Sequence, residues 1–214
     1  MIRNLFRSLA PSCLFMVLAF SLGVLAPGAA HAALIGDASI PYKAERTVVE
    51  DGRTYVGTMY SAPGMQRHDQ TINNIRMTVI LRADRGVMEL WLPDFNVYTD
   101  LPLSDTLTRY GDRRLLPPPS GREMEDGVST RKYRIRHRDQ SGAEADGWLW
   151  LDDNGIARRL SGDYTTPGGR VTHVTAILSH VRPGPQPASL FVVPQGVQML
   201  PPQAVAPILG LQLR

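Results

Sequence analysis

The side chains best suited to metal chemistry in this sequence are the four histidines beyond residue 32, and their spacing argues against a metal site. His173 and His180 are seven positions apart, so on a strand they face opposite sides of the sheet. His68 and His137 are isolated, and we interpret all four as surface or core histidines. The run Asp152-Asp153-Asn154-Gly155 is similar to the start of a calcium loop, but it lacks the later oxygen ligands and the closing glutamate, so it predicts a hairpin turn instead.

The sequence also gives no pattern for hydrolysis or phosphate binding. No serine lies in a glycine-flanked elbow, and no glycine-rich loop precedes a helix. Glu123 and Glu125 form a carboxylate pair in a predicted polar loop, where solvated charge is the ordinary state. We therefore predict no catalytic residue, no metal and no cofactor, and keep a hydrolase whose acid and base are brought together by the fold as an alternative.

A basic stripe is the first candidate contact surface. Its four cations occur at every second position, so on a strand they share one face while Tyr133 and Ile135 take the other. The stripe is either a solvated face or a contact for lipid phosphates or an acidic partner. Its members are Lys132, Arg134, Arg136 and Arg138.

A set of apolar positions rich in methionine is the second candidate. Alternation places these residues on one face of neighbouring strands, and methionine is flexible enough to adapt to an irregular apolar ligand. An ordinary core under a helix is the alternative, but the sequence offers only one short helix to cover such a face. The expected ligand-binding residues are Met59, Met77, Val79, Leu81, Met88, Leu90 and Leu92.

The elements that must position these residues are strands, centred on the run from Tyr55 to Leu103. Strand-forming residues alternate there with turn signals, and further turns are predicted at Asp51-Gly52 and Asn154-Gly155. Only one helix, a short one, is predicted in this part of the chain, and it begins at Ser104. About nine strands result, which predicts a mainly β protein: a single curved antiparallel sheet, or half-barrel, with one or two short helices.

The two ends of the chain carry separate signals. Arg3, Arg7 and an apolar run predict a signal peptide over residues 1–32, cleaved after Ala32. Residues 33–200 form the predicted domain, which contains no cysteine, so neither disulfides nor thiol chemistry are expected. Because the two arginines would be removed, the formal net charge of +3 says little about nucleic acid, and no nucleic-acid partner is expected.

Residues 201–214 form an apolar tail that contains prolines. We expect Pro201-Pro202 and Pro207 to prevent a helix there. The tail is too apolar for a free end in solvent, so we expect it to fold back over the sheet as an edge strand or as a cover.

Several of these segments together resemble the outer-membrane lipoprotein-sorting (LolA/LolB-like) proteins of bacteria and their uncharacterised periplasmic relatives. The resemblance covers most of the chain after residue 32 and is carried by the runs 60–67, 90–93, 147–150 and 190–196. It implies an antiparallel half-barrel in the periplasm whose hydrophobic concavity takes acyl chains or lipoproteins. The carriers of that group begin with a long amphipathic helix that covers the cavity, and residues 33–44 cannot form one.

The function expected from the sequence is a non-enzymatic periplasmic protein that binds a hydrophobic ligand, either lipid or lipoprotein acyl chains, in the concavity of a half-barrel. A membrane surface or an envelope protein is a further expected partner. The alternative is an envelope-stress sensor or protein-interaction module of the same fold.

Overall fold

The computed structural model describes residues 38–103, 113–138 and 142–209, and nearly all of its regular structure is one sheet of twelve strands. The expected signal peptide and the helix predicted from Ser104 lie outside these residues. No helix in the described ranges is both long and apolar enough to cross a membrane.

The strands follow one another along the chain with short connections. Their bounds are β1 (Tyr42–Glu50), β2 (Arg53–Ala62), β3 (Met65–Ile72), β4 (Ile75–Arg82), β5 (Val87–Leu92), β6 (Val97–Pro102), β7 (Gly121–Glu125), β8 (Val128–Arg138), β9 (Glu144–Leu151), β10 (Ala157–Thr165), β11 (Val171–Pro183) and β12 (Gln198–Met199). One short helix, α1 (Pro202–Val205), and 3-10 turns at Pro93–Phe95, Arg113–Leu115, Ala188–Phe191 and Ala206–Leu209 complete the described structure.

Two meanders joined side by side make the sheet. The spatial order is β12-β6-β5-β4-β3-β2-β1-β11-β10-β9-β8-β7, so β1 to β6 run outward on one side and β11 to β7 on the other. All pairings are antiparallel except that of β12 with β6. The predicted fold class, an open curved antiparallel sheet with little helix, is confirmed.

Tight turns with two left-handed residues explain the local pairing. Asp51 and Gly52 have φ of 45° and 79°, as the predicted hairpin requires. The same geometry occurs at residues 73–74, where both positions are asparagine, and at residues 126–127, an Asp-Gly pair. These two turns extend β3 to Ile72 and create β7, so Glu123 and Glu125 lie in a strand rather than in the expected polar loop.

The C-terminal segment wraps around the β6 edge of the sheet. Phe191 is fully buried against Ile80, and the backbone carbonyls of residues 190 and 191 accept hydrogen bonds from Arg67 and Arg82 at 3.1 and 3.0 Å. The chain then pairs along β6, where the Leu200 N–H donates to the Tyr98 carbonyl at 2.8 Å. From Leu200 it continues onto the opposite face of the sheet.

The described part of the tail, residues 201–209, packs over the sheet as expected, but the expectation that its prolines prevent a helix is wrong. Pro202 is the first residue of α1, where its missing N–H has no partner to lose and its fixed φ suits the helix. The α-helical turn ends at Val205, before Pro207, and the chain continues as a 3-10 turn.

Candidate functional site

Most of the apolar residues predicted for ligand binding form one cluster on one face of β4 and β5, and we call this side of the sheet the Met77 face. Register places Val79 opposite Leu90, and Leu81 opposite Met88, so the alternating apolar residues of the two strands lie on the same face of the sheet. Six of the seven predicted residues lie in this cluster and are at most 4% exposed: Met77, Val79, Leu81, Met88, Leu90 and Leu92.

Residues 201–209, which we call the C-terminal cover, close this face. Val205 and Ala206 are 1% and 5% exposed and belong to the same cluster, and Ile208 and Leu209 pack against it half-buried. In the described parts of the chain, no residue of the cover hydrogen-bonds to the sheet. The amides of Ala204 and Ala206 donate to carbonyls within the cover itself. The cover is therefore held on the sheet by apolar contact and by its connection at Leu200.

Met59, the seventh predicted residue, lies in a different cluster. It shares the face of Met77 by register, through His68 of β3. Its buried neighbours, however, are Tyr42, Ala44, Ile156 and Leu178, from β1, β11 and the turn before β10. Alternation predicted the face of Met59 correctly. Its strand, β2, is separated from β4 by β3, so Met59 does not reach the Met77 cluster.

A polar group borders the apolar cluster on the same face. The Arg46 guanidinium donates to His68 Nδ1 at 3.1 Å and to Gln70 Oε1 at 2.9 Å, and Gln70 lies opposite Met77 in the ladder. Burial, and then the charge of Arg46, lower the pKa of His68 well below its ordinary value of 6.5, so the ring is neutral at pH 7. Because Nδ1 accepts from the guanidinium, the ring proton is on Nε2.

Gly57 allows Arg46 to reach these partners. Arg46 is on β1 and Gln70 on β3, and both pair in register with Gly57 of the intervening β2. Two strand spacings amount to roughly 9–10 Å, so the arginine side chain crosses β2 at the one residue without a side chain. A Cβ at this position would also lie 2.3 Å from the carbonyl oxygen of Asp69.

The opposite face, called the Ile80 face here, carries a ladder of cations and tryptophans on β8, β9 and β10. Lys132 Nζ lies 4.7 Å from the ring centre of Trp148 and 4.9 Å from that of Trp150. The guanidinium carbons of Arg134 and Arg159 lie 4.8 Å from Trp148 and Trp150 respectively. These contacts stabilise the outer part of the sheet, at about 0.5–1 kcal/mol each where exposed.

The four cations of the basic stripe share one face, as alternation predicted. This is the Ile80 face, and the cations pair with carboxylates of neighbouring strands. The pairs are Lys132 with Glu123 (2.8 Å), Arg134 with Asp146, Arg136 with Asp146 (3.0 Å) and Arg138 with Glu144 (3.3 Å). Glu123 also accepts from the Trp150 indole at 2.7 Å. Contact with an anionic partner stays a prediction, and such a partner would compete with these carboxylates.

The histidines and acidic turn considered for metals are dispersed in the structure. Within residues 38–103, 113–138 and 142–209, no group of three or more His, Asp or Glu side chains could hold a metal ion. Asp152 is 4% exposed, accepts from the Ile156 amide at 2.9 Å and pairs with Arg158 at 3.0 Å. It is thus part of the hairpin turn that the sequence indicated.

The Arg46, His68 and Gln70 group was not found from the sequence. His68 and Gln70 are 22 and 24 positions from Arg46, and no spacing rule connects side chains of two strands that a third strand separates. The one available signal was the isolated Gly57 within a strand pattern, which often marks a close approach of backbone or ligand.

No protein-family model matches the chain, and no curated protein matches it in sequence. Solved structures do resemble it. An uncharacterized conserved protein from Thermus thermophilus is 14% identical with a TM-score of 0.49, over 76% of this chain and 91% of that one. A LolA superfamily protein from Nitrosomonas europaea, from the group that the sequence motifs indicated, is 9% identical with a TM-score of 0.38, over 76% and 93%.

A third structure is the complex of MucA and MucB from Pseudomonas aeruginosa. Identity is 14% and the TM-score 0.45, over 77% of this chain but only 59% of that one. At these identities the likenesses concern the fold alone.

Proposed function

We propose that the protein is exported and binds, without catalysis, the acyl chain of a lipid or lipoprotein between the Met77 face and the C-terminal cover. The observation that carries the proposal is the way the face is closed. Its buried apolar cluster meets a segment of nine residues that makes no hydrogen bond to the sheet in the described structure. The cover can leave without breaking a polar contact, and an acyl chain can take its place.

The energetics of the cover support this exchange. Full burial of Val205 and Ala206 and partial burial of Ile208 and Leu209 stabilise the closed state by about 5 kcal/mol in total. The conformational entropy lost when the cover is ordered opposes closure and offsets part of this stabilisation. Opening therefore costs less than the burial contributes, on the order of a few kcal/mol.

The face beneath the cover suits an acyl chain. It is lined by aliphatic side chains and two methionines, Met77 and Met88, whose flexible thioethers adapt to the contour of a chain. An opened face would expose a contiguous apolar patch, which soluble proteins rarely leave uncovered. A ligand of matching length is the natural replacement for the cover.

The experiment is purification of the exported protein without detergent, followed by organic extraction and mass spectrometry. We expect acyl-containing molecules in stoichiometric amount, released when the protein is unfolded. An extract without acyl species, together with no binding of a fluorescent fatty acid by protein refolded from denaturant, would contradict the proposal.

A second candidate, a protein-interaction module, is favoured by the free edge at β7. Among the described strands β7 pairs only with β8, and Met124 at its centre is 65% exposed. Such an edge can pair with a strand of another protein. Replacing Met124 by proline would abolish that pairing and leave acyl binding unchanged, which separates the two functions.

A further inference from the structure

The polar group beside the apolar cluster has the composition of a site for an anion. Arg46, His68 and Gln70 lie on the Met77 face, Arg46 on β1 and the other two on β3, which is the neighbour of β4 with Met77 and Val79. His68 is opposite Val79 and Gln70 is opposite Met77. Residues directly opposite in an antiparallel pair have Cβ atoms roughly 5 Å apart, so the polar group adjoins the apolar cluster without an intervening residue.

The orientation of the Gln70 amide is the key observation. Its Oε1 accepts from Arg46, so its Nε2 takes no part in that contact. Gln70 is 8% exposed, and Nε2 is buried without a hydrogen-bond partner among the described residues. A buried amide donor without an acceptor destabilises the ligand-free protein, and an acceptor atom supplied from outside would remove that cost.

The neighbouring groups add donors and positive charge. Arg46 brings a guanidinium to this group and donates to the His68 ring and to the Gln70 carbonyl oxygen. The His68 tautomer that accepts from Arg46 holds its own proton on Nε2, as a further donor. A guanidinium, an imidazole N–H and an amide NH2 together match an oxyanion, either carboxylate or phosphate.

We infer that Arg46, His68 and Gln70 bind the anionic head group of the acyl ligand while its chain lies on the Met77 face. The inference rests on the proposed acyl-binding function and narrows it to amphipathic ligands with a carboxylate or phosphate at one end. The chain and the head group would then occupy neighbouring parts of one sheet face, with β3 and β4 as the boundary.

The first test uses the unmodified protein and three ligands with the same acyl length: laurate, dodecyl phosphate and monolaurin. Charge-assisted hydrogen bonds from the polar group should make one or both anionic ligands bind at least about tenfold more tightly than the uncharged monolaurin. Whichever of laurate and dodecyl phosphate binds more tightly identifies the source of the anion. Equal affinity for all three would overturn the head-group site and leave acyl binding intact.

The second test is Gln70→Glu, which keeps the shape of the side chain and the acceptor for Arg46 but replaces the free donor by a negative oxygen. Affinity for the anionic ligands should fall by at least about tenfold, with that for monolaurin unchanged. Gln198→Glu, which adds the same charge at an exposed residue of β12, is the matched control and should change neither affinity. Retained monolaurin binding shows that the Gln70→Glu protein is folded.

Arg46→Met, which keeps the aliphatic stem and removes the charge, provides an independent variant. It should reduce the preference for anionic ligands in the same way. An unchanged preference in both variants would overturn the assignment, whereas failure of the unmodified protein to bind any of the three ligands would overturn the acyl-binding function itself.

Discussion

Val205→Asp tests the C-terminal cover most severely, because it places a carboxylate in the buried side of a segment that can lift off. Val205 is 1% exposed within the apolar cluster. A carboxylate buried there without a partner would cost far more than the few kcal/mol needed to open the cover. The cover should therefore open, and the loss of global stability should be limited to the free energy of opening, about 2–3 kcal/mol.

The expected binding result follows from the same free energy. If a ligand must displace the cover, its apparent affinity is reduced by the fraction of molecules that are open. A free energy of opening of 2–3 kcal/mol corresponds to roughly 30- to 150-fold, so Val205→Asp should tighten the binding of a fluorescent fatty acid by about that factor. The midpoint of thermal unfolding should fall by no more than about 10 °C for a domain of this size.

Fluorescence titration and thermal unfolding monitored by circular dichroism measure the two quantities. Val192→Asp is the matched control, since Val192 is 46% exposed in the segment before β12, and it should change neither. Global unfolding of Val205→Asp, or a folded variant whose affinity is unchanged, would refute the exchange of cover and ligand.

Three further outcomes are expected. Asp152→Ala removes a buried carboxylate and leaves Arg158 unpaired, so urea unfolding should show a loss of about 3–5 kcal/mol, against less than about 1 kcal/mol for Asp153→Ala at an exposed pair. Burial raises the pKa of Glu89 above its ordinary 4.5, so the folded protein holds this proton more tightly than the unfolded chain, and stability should fall as the pH rises through that raised pKa. Glu89→Gln should lose less stability than the unmodified protein over the same rise. An identical pH dependence of the two proteins would contradict this. Intact-mass measurement of exported protein should give a chain beginning directly after Ala32, and a start more than a few residues away would refute the predicted cleavage.

Strand alternation and turn chemistry made most of the sheet predictable. The Asp51-Gly52 hairpin and the shared face of Met77 and Val79 follow from local rules that hold regardless of the rest of the chain. β7 was missed although residues 126–127 are an Asp-Gly pair, because the prolines before it suggested a loop that continued further. The Asn-Asn turn after β3 contains neither glycine nor proline, so the rules that predict the other turns do not predict it.

The candidate site was predictable only where it depends on one strand at a time. Six apolar residues were assigned correctly to one cluster, but Met59 was not separated from them, because alternation gives the face of a residue and not its distance across the sheet. The contact of Arg46 with His68 and Gln70 depends on strand order and on the missing side chain of Gly57. No local pattern carries that information.

Methionine methyl NMR tests binding on the Met77 face most directly. Met77 and Met88 are 1% exposed in the apolar cluster, whereas Met124 is 65% exposed on the opposite edge of the sheet. In protein labelled at the methionine methyl groups and titrated with laurate, the signals of Met77 and Met88 should shift with saturation while that of Met124 stays in place. Saturable binding that shifts Met124 and leaves Met77 and Met88 unchanged would contradict an acyl site on this face.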